Sequence, residues 1–292
     1  TNGVGIDNAV TLYGGQPHVW YQDDTAGDLR HAWWNGTAWS FETLDGAGGG
    51  DGRTPNDVGR DNAVTIYAGQ PHVWYRDDTA GDLRHAWWTG TAWSFETLDG
   101  AGGTDGRTTN AVGFYNAVTI YGGQPHVWYR DDTAGDLRHA WWNGAAWSFE
   151  TLDGAGGAGG RTTNDVGAYN AVTIYGGQPH VWYYDDSAGD LRHAWWNGAA
   201  WSFETLDGAG GGDGRTTNDV GFYNAVTIYG GQPHVWYWDA TGGDLRHAWW
   251  TGAAWSFETL DGAGGGGGRT TNNVGAYNAV TIYGGQPHVW YW

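Results

Sequence analysis

The chain has 292 residues, with 13 Arg and no Lys set against 32 acidic side chains, for a formal charge of −19. That balance repels polyanions, which excludes nucleic acid and anionic membrane surfaces as partners. The absence of Cys removes disulfides, Cys-based zinc sites and thiol chemistry, and no apolar run approaches the roughly 20 residues a membrane helix needs.

The first apolar runs, taken in chain order, are 9–13, 18–22, 28–34 and 39–44. They are rich in Val, Thr, Tyr, Trp and Phe, and Gly, Pro or Asn/Asp clusters bound them. Such runs read as short β-strands. Between the second and third lies DDTAGD, where Asp and Thr bond the local backbone and Gly supplies a positive φ. A regular hairpin centred near Asp24–Thr25 sets His18 directly across from His31 and Trp20 across from Leu29. Side chains alternate along a strand, so His18, Trp20, His31 and Trp33 share one face. Arg30 falls on the opposite face, where it is expected to pair with Asp or with carboxylates of the Glu42 type.

The same sentence then recurs. GQPHVWY begins at Gly15, Gly69, Gly123, Gly177, Gly231 and Gly285, a constant step of 54 residues, and GDLRHAWW keeps the same step. Every one of the 11 His lies in QPH or LRH. Four antiparallel strands repeated at this spacing describe one blade of a β-propeller. Blades stack face to face, so both faces of each sheet need apolar groups, and Trp stands on both sides of the third strand at Trp33 and Trp34. The expected fold is an all-β, single-domain β-propeller with units 1–54, 55–108, 109–162, 163–216 and 217–270. Residues 271–292 repeat the first two strands of a sixth. Six radial positions with an incomplete last blade are preferred over a closed ring of five. The open edge of that blade offers a route to homo-oligomers. The first residue after each HVWY is Gln22, Arg76, Arg130, Tyr184, Trp238 and Trp292, and such tolerance predicts a solvent-facing position.

Three roles stay open for the facing imidazoles: satisfied core groups, a metal site, or the polar end of a ligand pocket. Metal is disfavoured because no third His and no Cys lies in the repeat. Ca²⁺ is disfavoured because each Asp-rich turn offers few carboxylates, and the Gly-rich loops lack the GK[ST] of a phosphate loop. No cofactor is expected.

The stretch HVWYQDDTAGDLRHAWWNGTAW and its copies resemble the fucose-binding propeller lectins of the Aleuria and Ralstonia type. The L-x-H-x-W and W-x-x-W/F-E-x-L-x-G elements are similar to the Photorhabdus-type propeller lectins. The resemblance covers every repeat at the level of a pattern. It implies a saccharide pocket between blades, in which the family's Arg position falls on His18, its acidic position on His31, and its aromatic wall on Trp88 and Trp93. Both polar anchors differ from the family's, so fucose itself does not carry over. Copies of this set are His72, His85, Trp142 and Trp147; His126, His139, Trp196 and Trp201; and His180, His193, Trp250 and Trp255. A sugar ring packs its C–H face on an indole, and neutral His supplies one donor and one acceptor.

The expected function is therefore a multivalent carbohydrate-binding lectin, secreted or at the cell surface, with glycans or glycoconjugates as partners. The start at Thr1 fits removal of a leader. A passive scaffold, natural or engineered, is the alternative. A glycosidase is disfavoured, since near-identical units place each acid in equivalent settings. Only Asp7 and Asp61 break the pattern, where later units carry Tyr115, Tyr169, Tyr223 and Tyr277.

Overall fold

A computed structural model describes residues 2–48, 50–157, 159–210, 212–262 and 267–292. Every regular element among them is a strand. The first blade is β1 (Val4–Tyr13), β2 (Gln16–Asp23), β3 (Asp28–Trp34) and β4 (Trp39–Asp45), paired in that order. The second is β5 (Val58–Tyr67), β6 (Gln70–Asp77), β7 (Asp82–Trp88) and β8 (Trp93–Asp99). Three further four-stranded sheets follow, and a sixth holds only β21 (Ala279–Tyr283) and β22 (Gln286–Trp290). The architecture is thus a β-propeller of five blades and a two-stranded sixth, with blade boundaries on the 54-residue step. Packing divides the chain into two compact units, residues 1–134 with 138–151, and 135–137 with 152–292.

The β2–β3 register differs from the regular hairpin. Trp20 pairs with His31 and His18 with Trp33. The turn closes as a longer loop: the Gly27 amide donates to the Asp23 carbonyl at 2.8 Å, and the Asp23 carboxylate takes the Thr25 and Ala26 amides at 3.2 and 3.1 Å. The centre of the hairpin therefore moves one residue on, which slides the pairing by two. A slip of two conserves the side-chain face, so the four aromatic and imidazole rings still lie together.

Strand β1 is longer than the run 9–13, because two register shifts let it continue back to Val4. The same shifts in β5 hold Asp61 at φ 52°, and Asp7, Tyr115, Tyr169, Tyr223 and Tyr277 sit alike. Gly59 makes the bend possible: its φ is +97°, and a Cβ there would meet the Leu29 Cα at 2.8 Å.

Blades pack through a repeated core. Trp20, Leu29 and Leu44 of the first blade meet Val58, Val73, Tyr75 and Ala86 of the second, all fully buried. Each buried aromatic removes about 150–250 Å² from water, on the order of 4–6 kcal/mol before entropy is set against it.

A polar clamp joins the same blades. Asp45, at 0 % exposure, accepts from the Tyr75 hydroxyl at 2.6 Å and Arg84 Nε at 3.1 Å, while its other oxygen takes the Gly46 and Thr54 amides. Arg84 also donates to Thr97 and to the Gly52 carbonyl. The Asp99–Tyr129–Arg138, Asp153–Tyr183–Arg192 and Asp207–Tyr237–Arg246 clamps repeat it. Arg84, Arg138, Arg192 and Arg246 pair with this Asp rather than with a Glu42-type carboxylate, and Arg30 bonds Thr43.

The position after HVWY is not solvent-facing. Gln22 and Tyr184 are buried and donate to Asp57 and Asp219 at 2.8 and 2.7 Å, and Arg76 lies 3.3 Å over the Phe114 ring. Gln22, Tyr184 and Trp238 bond the same repeat position, at Asp57, Asp219 and Asn273, whereas Trp292 is 77 % exposed.

Candidate functional site

Two constellations carry chemistry. The first is a cleft between successive blades. Strands β2 and β3 stack His18, Trp20, His31 and Trp33 into one ladder of rings, with Trp20 and His31 centroids 4.6 Å apart. Directly across from His31, β4 presents Glu42. The groups join in series: His18 Nδ1 to His31 Nε2 at 2.9 Å, and His31 Nδ1 to Glu42 Oε1 at 2.9 Å. Trp93 of the next blade donates its indole N–H to the same oxygen at 3.1 Å.

Burial first, and the His31 charge second, lower the His18 pKa to about 4, with Glu42 working the other way. Burial opposes the charged form of Glu42 too, but the bonds from His31 and Trp93 outweigh it and hold the carboxyl below its ordinary range. An ionised Glu42 only accepts, so His31 donates to it through Nδ1, and His18 Nδ1 and His31 Nε2 share one proton across the second bond.

This cleft has a volume of about 250 Å³ and is lined by Tyr13, His18, His31, Trp33, Glu42, Pro71, Trp88 and Trp93. The four residues singled out from the sequence are thus brought together. His72, His85, Trp142 and Trp147 line a second cleft of about 280 Å³, and His180, His193, Trp250 and Trp255 a third of about 270 Å³. His126 and His139 form the same pair at 3.0 Å, and Trp196 and Trp201 the same edge-to-face contact at 5.8 Å. Sequence reasoning missed Glu42, Tyr13, Trp33 and Pro71. The β3–β4 pairing about the NGTA turn would have found Glu42.

The second constellation is the inner bulge of the first strands. The Asp61 amide donates to the Asp7 carboxylate at 3.2 Å, and Asn62 Nδ2 donates to the Asp7 and Gly59 carbonyls at 2.9 and 2.7 Å. Asn116 Nδ2 holds the Asp61 carbonyl in turn at 2.9 Å. Around them Arg60 bridges Asp24 and Asp78 at 3.0 and 2.7 Å, and Arg76 reaches Asp78 at 2.8 Å. Asp61 is half-buried while Asp7 is exposed. Burial first, and the Asp7 charge second, push the Asp61 carboxyl up to about 7, against the Tyr115 amide and Arg76. A left-handed φ at a non-glycine residue costs on the order of 1 kcal/mol or more, and such strain gathers at functional sites. The acids at these two bulges therefore stand in unlike environments, a difference that acid–base chemistry needs.

The succession of four-stranded antiparallel sheets is that of a β-propeller. No family model and no curated protein matches this chain. Among solved structures, it is similar to an intramolecular trans-sialidase from Ruminococcus gnavus in complex with oseltamivir carboxylate. That match has TM-score 0.61 and 10 % identity, over 100 % of this chain and 90 % of that one. It is also similar to the Hadza microbial sialidase Hz136, with TM-score 0.59 and 12 % identity over 95 % of this chain. This chain spans 61 % of the length of that sialidase. At these identities the likeness is one of fold. The expectation of a non-enzymatic lectin is corrected by these neighbours, which are named as sialidases. The physical reason is that repeat identity was taken to exclude unlike acids, whereas Asp7 and Asp61 occupy unlike environments at one repeat position.

Proposed function

We propose that the chain cleaves glycosidic bonds, with Asp61 as general acid and Asp7 as the second carboxylate. The observation that carries this reading is the unlike setting of two linked acids: the Asp61 amide bonds the exposed Asp7 carboxylate, while the half-buried Asp61 carboxyl is raised to about 7. Glycoside hydrolysis needs a carboxylic acid that protonates the leaving oxygen and a carboxylate on the other side of the reacting carbon. Asp61 keeps its proton near neutral pH and gives it to the departing glycosidic oxygen. Asp7, open to solvent, supplies the negative charge that faces the oxocarbenium-like transition state, as base or nucleophile. The Arg60 and Arg76 pairs with Asp24 and Asp78 hold the surrounding charges in place. The sialidase neighbours support glycosides as the substrate class.

A panel of umbelliferyl glycosides tests the proposal. Release from at least one, falling about 10²–10⁴-fold in Asp61→Asn with an unchanged circular dichroism spectrum, is the expected result. Silence across the panel, or full activity in Asp61→Asn, overturns it.

A further inference from the structure

The three clefts are separate from the acid pair, and their chemistry points elsewhere. Most of their polar groups are already spent on one another. In the first cleft Tyr13 donates its hydroxyl to Gln70 at 2.8 Å, His18 bonds His31, and His31 and Trp93 both bond Glu42 Oε1. A ligand dense in hydroxyls finds few directed partners there. What remains open is charge and ring surface. Trp33, Trp88, Trp93 and Tyr13 are half-buried walls, and Glu42 keeps 37 % of its side chain accessible with both of its bonds on one oxygen. The second and third clefts reproduce the walls with Tyr67, Trp87, Trp142 and Glu96, and with Tyr175, Trp195, Trp250 and Glu204.

Several indole and phenol rings converging beside a carboxylate attract a cation through the negative ring faces. A quaternary ammonium needs no hydrogen bonds and carries its charge inside a methyl shell, so it loses little on leaving water for such walls. The formal charge of −19 enriches cations around the chain. His18 bears no competing positive charge near neutral pH, because burial lowers its pKa to about 4. Arg53 is the nearby cation, and it lies over Phe95 at 5.6 Å. From the convergence of rings, the ionised glutamate and the internally satisfied hydrogen bonds, we infer that each cleft binds a small quaternary ammonium cation.

Tetramethylammonium and choline, followed by Trp fluorescence and by NMR of the indole N–H groups on the full chain, test this. The controls are the neutral choline isostere 3,3-dimethylbutanol and a methyl glycoside. Both cations should saturate the signals, with the isostere at least about tenfold weaker. Glu42→Gln keeps an acceptor for His31 and Trp93 but removes the charge. It should weaken binding at the first cleft alone, while Trp88→Leu removes one equivalent of ligand. Equal response to cation and isostere, no saturable response to either cation, or saturation of the clefts by the methyl glycoside in place of the cations, each overturns the inference. Glycoside turnover at Asp61 is read separately, so failure of one proposal does not mimic failure of the other.

Discussion

The clefts between blades and the inner bulge are cut from the same repeat, yet they differ in one respect that matters for chemistry. In the clefts each copy is the same: His72 and His85 meet Glu96 as His18 and His31 meet Glu42. At the bulge the backbone repeats, with φ between 51° and 55° at six successive positions, but the side chain changes from Asp to Tyr. Tyr169, Tyr223 and Tyr277 pack at a tilt, with centroids 4.6 and 4.4 Å apart, whereas the Asp61 amide bonds the Asp7 carboxylate. A constant frame with a variable residue is how a symmetric fold produces an asymmetric site.

The largest effect expected from breaking this contrast is at the bulge. Asp61→Asn should lower glycoside turnover by about 10²–10⁴-fold while leaving the melting curve within a few degrees; collapse of the fold would instead make Asp61 a structural residue. Next come the blade clamps. Asp45→Ala strands the buried Arg84 and Tyr75 hydroxyl and should cost about 3–5 kcal/mol in urea unfolding. Asp261→Ala, whose partner Tyr291 is exposed, should cost under about 1 kcal/mol. Equal losses would mean the clamps are no stronger than surface contacts.

The smallest effect is in pH, where the two regions pull in opposite directions. Burial lowers the pKa of His18 and His234 to about 4, and of His72, His126 and His180 to about 3. Below about 6.5 the unfolded imidazoles take up protons that the folded ones refuse, so this stability is lost as pH falls from about 6.5 toward 4. Asp61 is raised, so the folded state holds its proton longer, and its contribution is lost as pH rises from about 4 through about 7. With five such histidines against Asp61 and Asp190, whose carboxyl burial raises to about 6, the melting temperature should drop on acidification. Asp61→Asn should steepen that drop slightly, and a flat profile from pH 7 to 4 contradicts the neutral pairs. Turnover should fall on the alkaline side as Asp61 ionises near pH 7.

Blade count and strand order were legible because each blade needs a full copy of the same four strands, and a fixed step exposes it. The shared face of His18, Trp20, His31 and Trp33 was legible too, since alternation survives any even error in register. The register itself was not, because Asp23 recruits two amides and lengthens the turn in a way that composition does not show. Gln22 read as exposed because its copies vary, but Gln22 and Tyr184 are both buried and bond the same repeat position, Asp57 and Asp219, with different donors. Asp7 and Asp61 stood out as departures from the repeat. Their significance lay in a contact between residues 54 apart and a difference in burial, which only folded coordinates supply.

The carboxylate that ends each fourth strand looks forward, to a tyrosine and an arginine on the blade that follows. Cohesion is therefore a nearest-neighbour property, passed from one blade to the next like links in a chain. At Asp261 the described side-chain donor is Tyr291, which is itself exposed. Hydrogen exchange should accordingly open the two-stranded sheet first, and the blades that share a complete link should hold their amides longest.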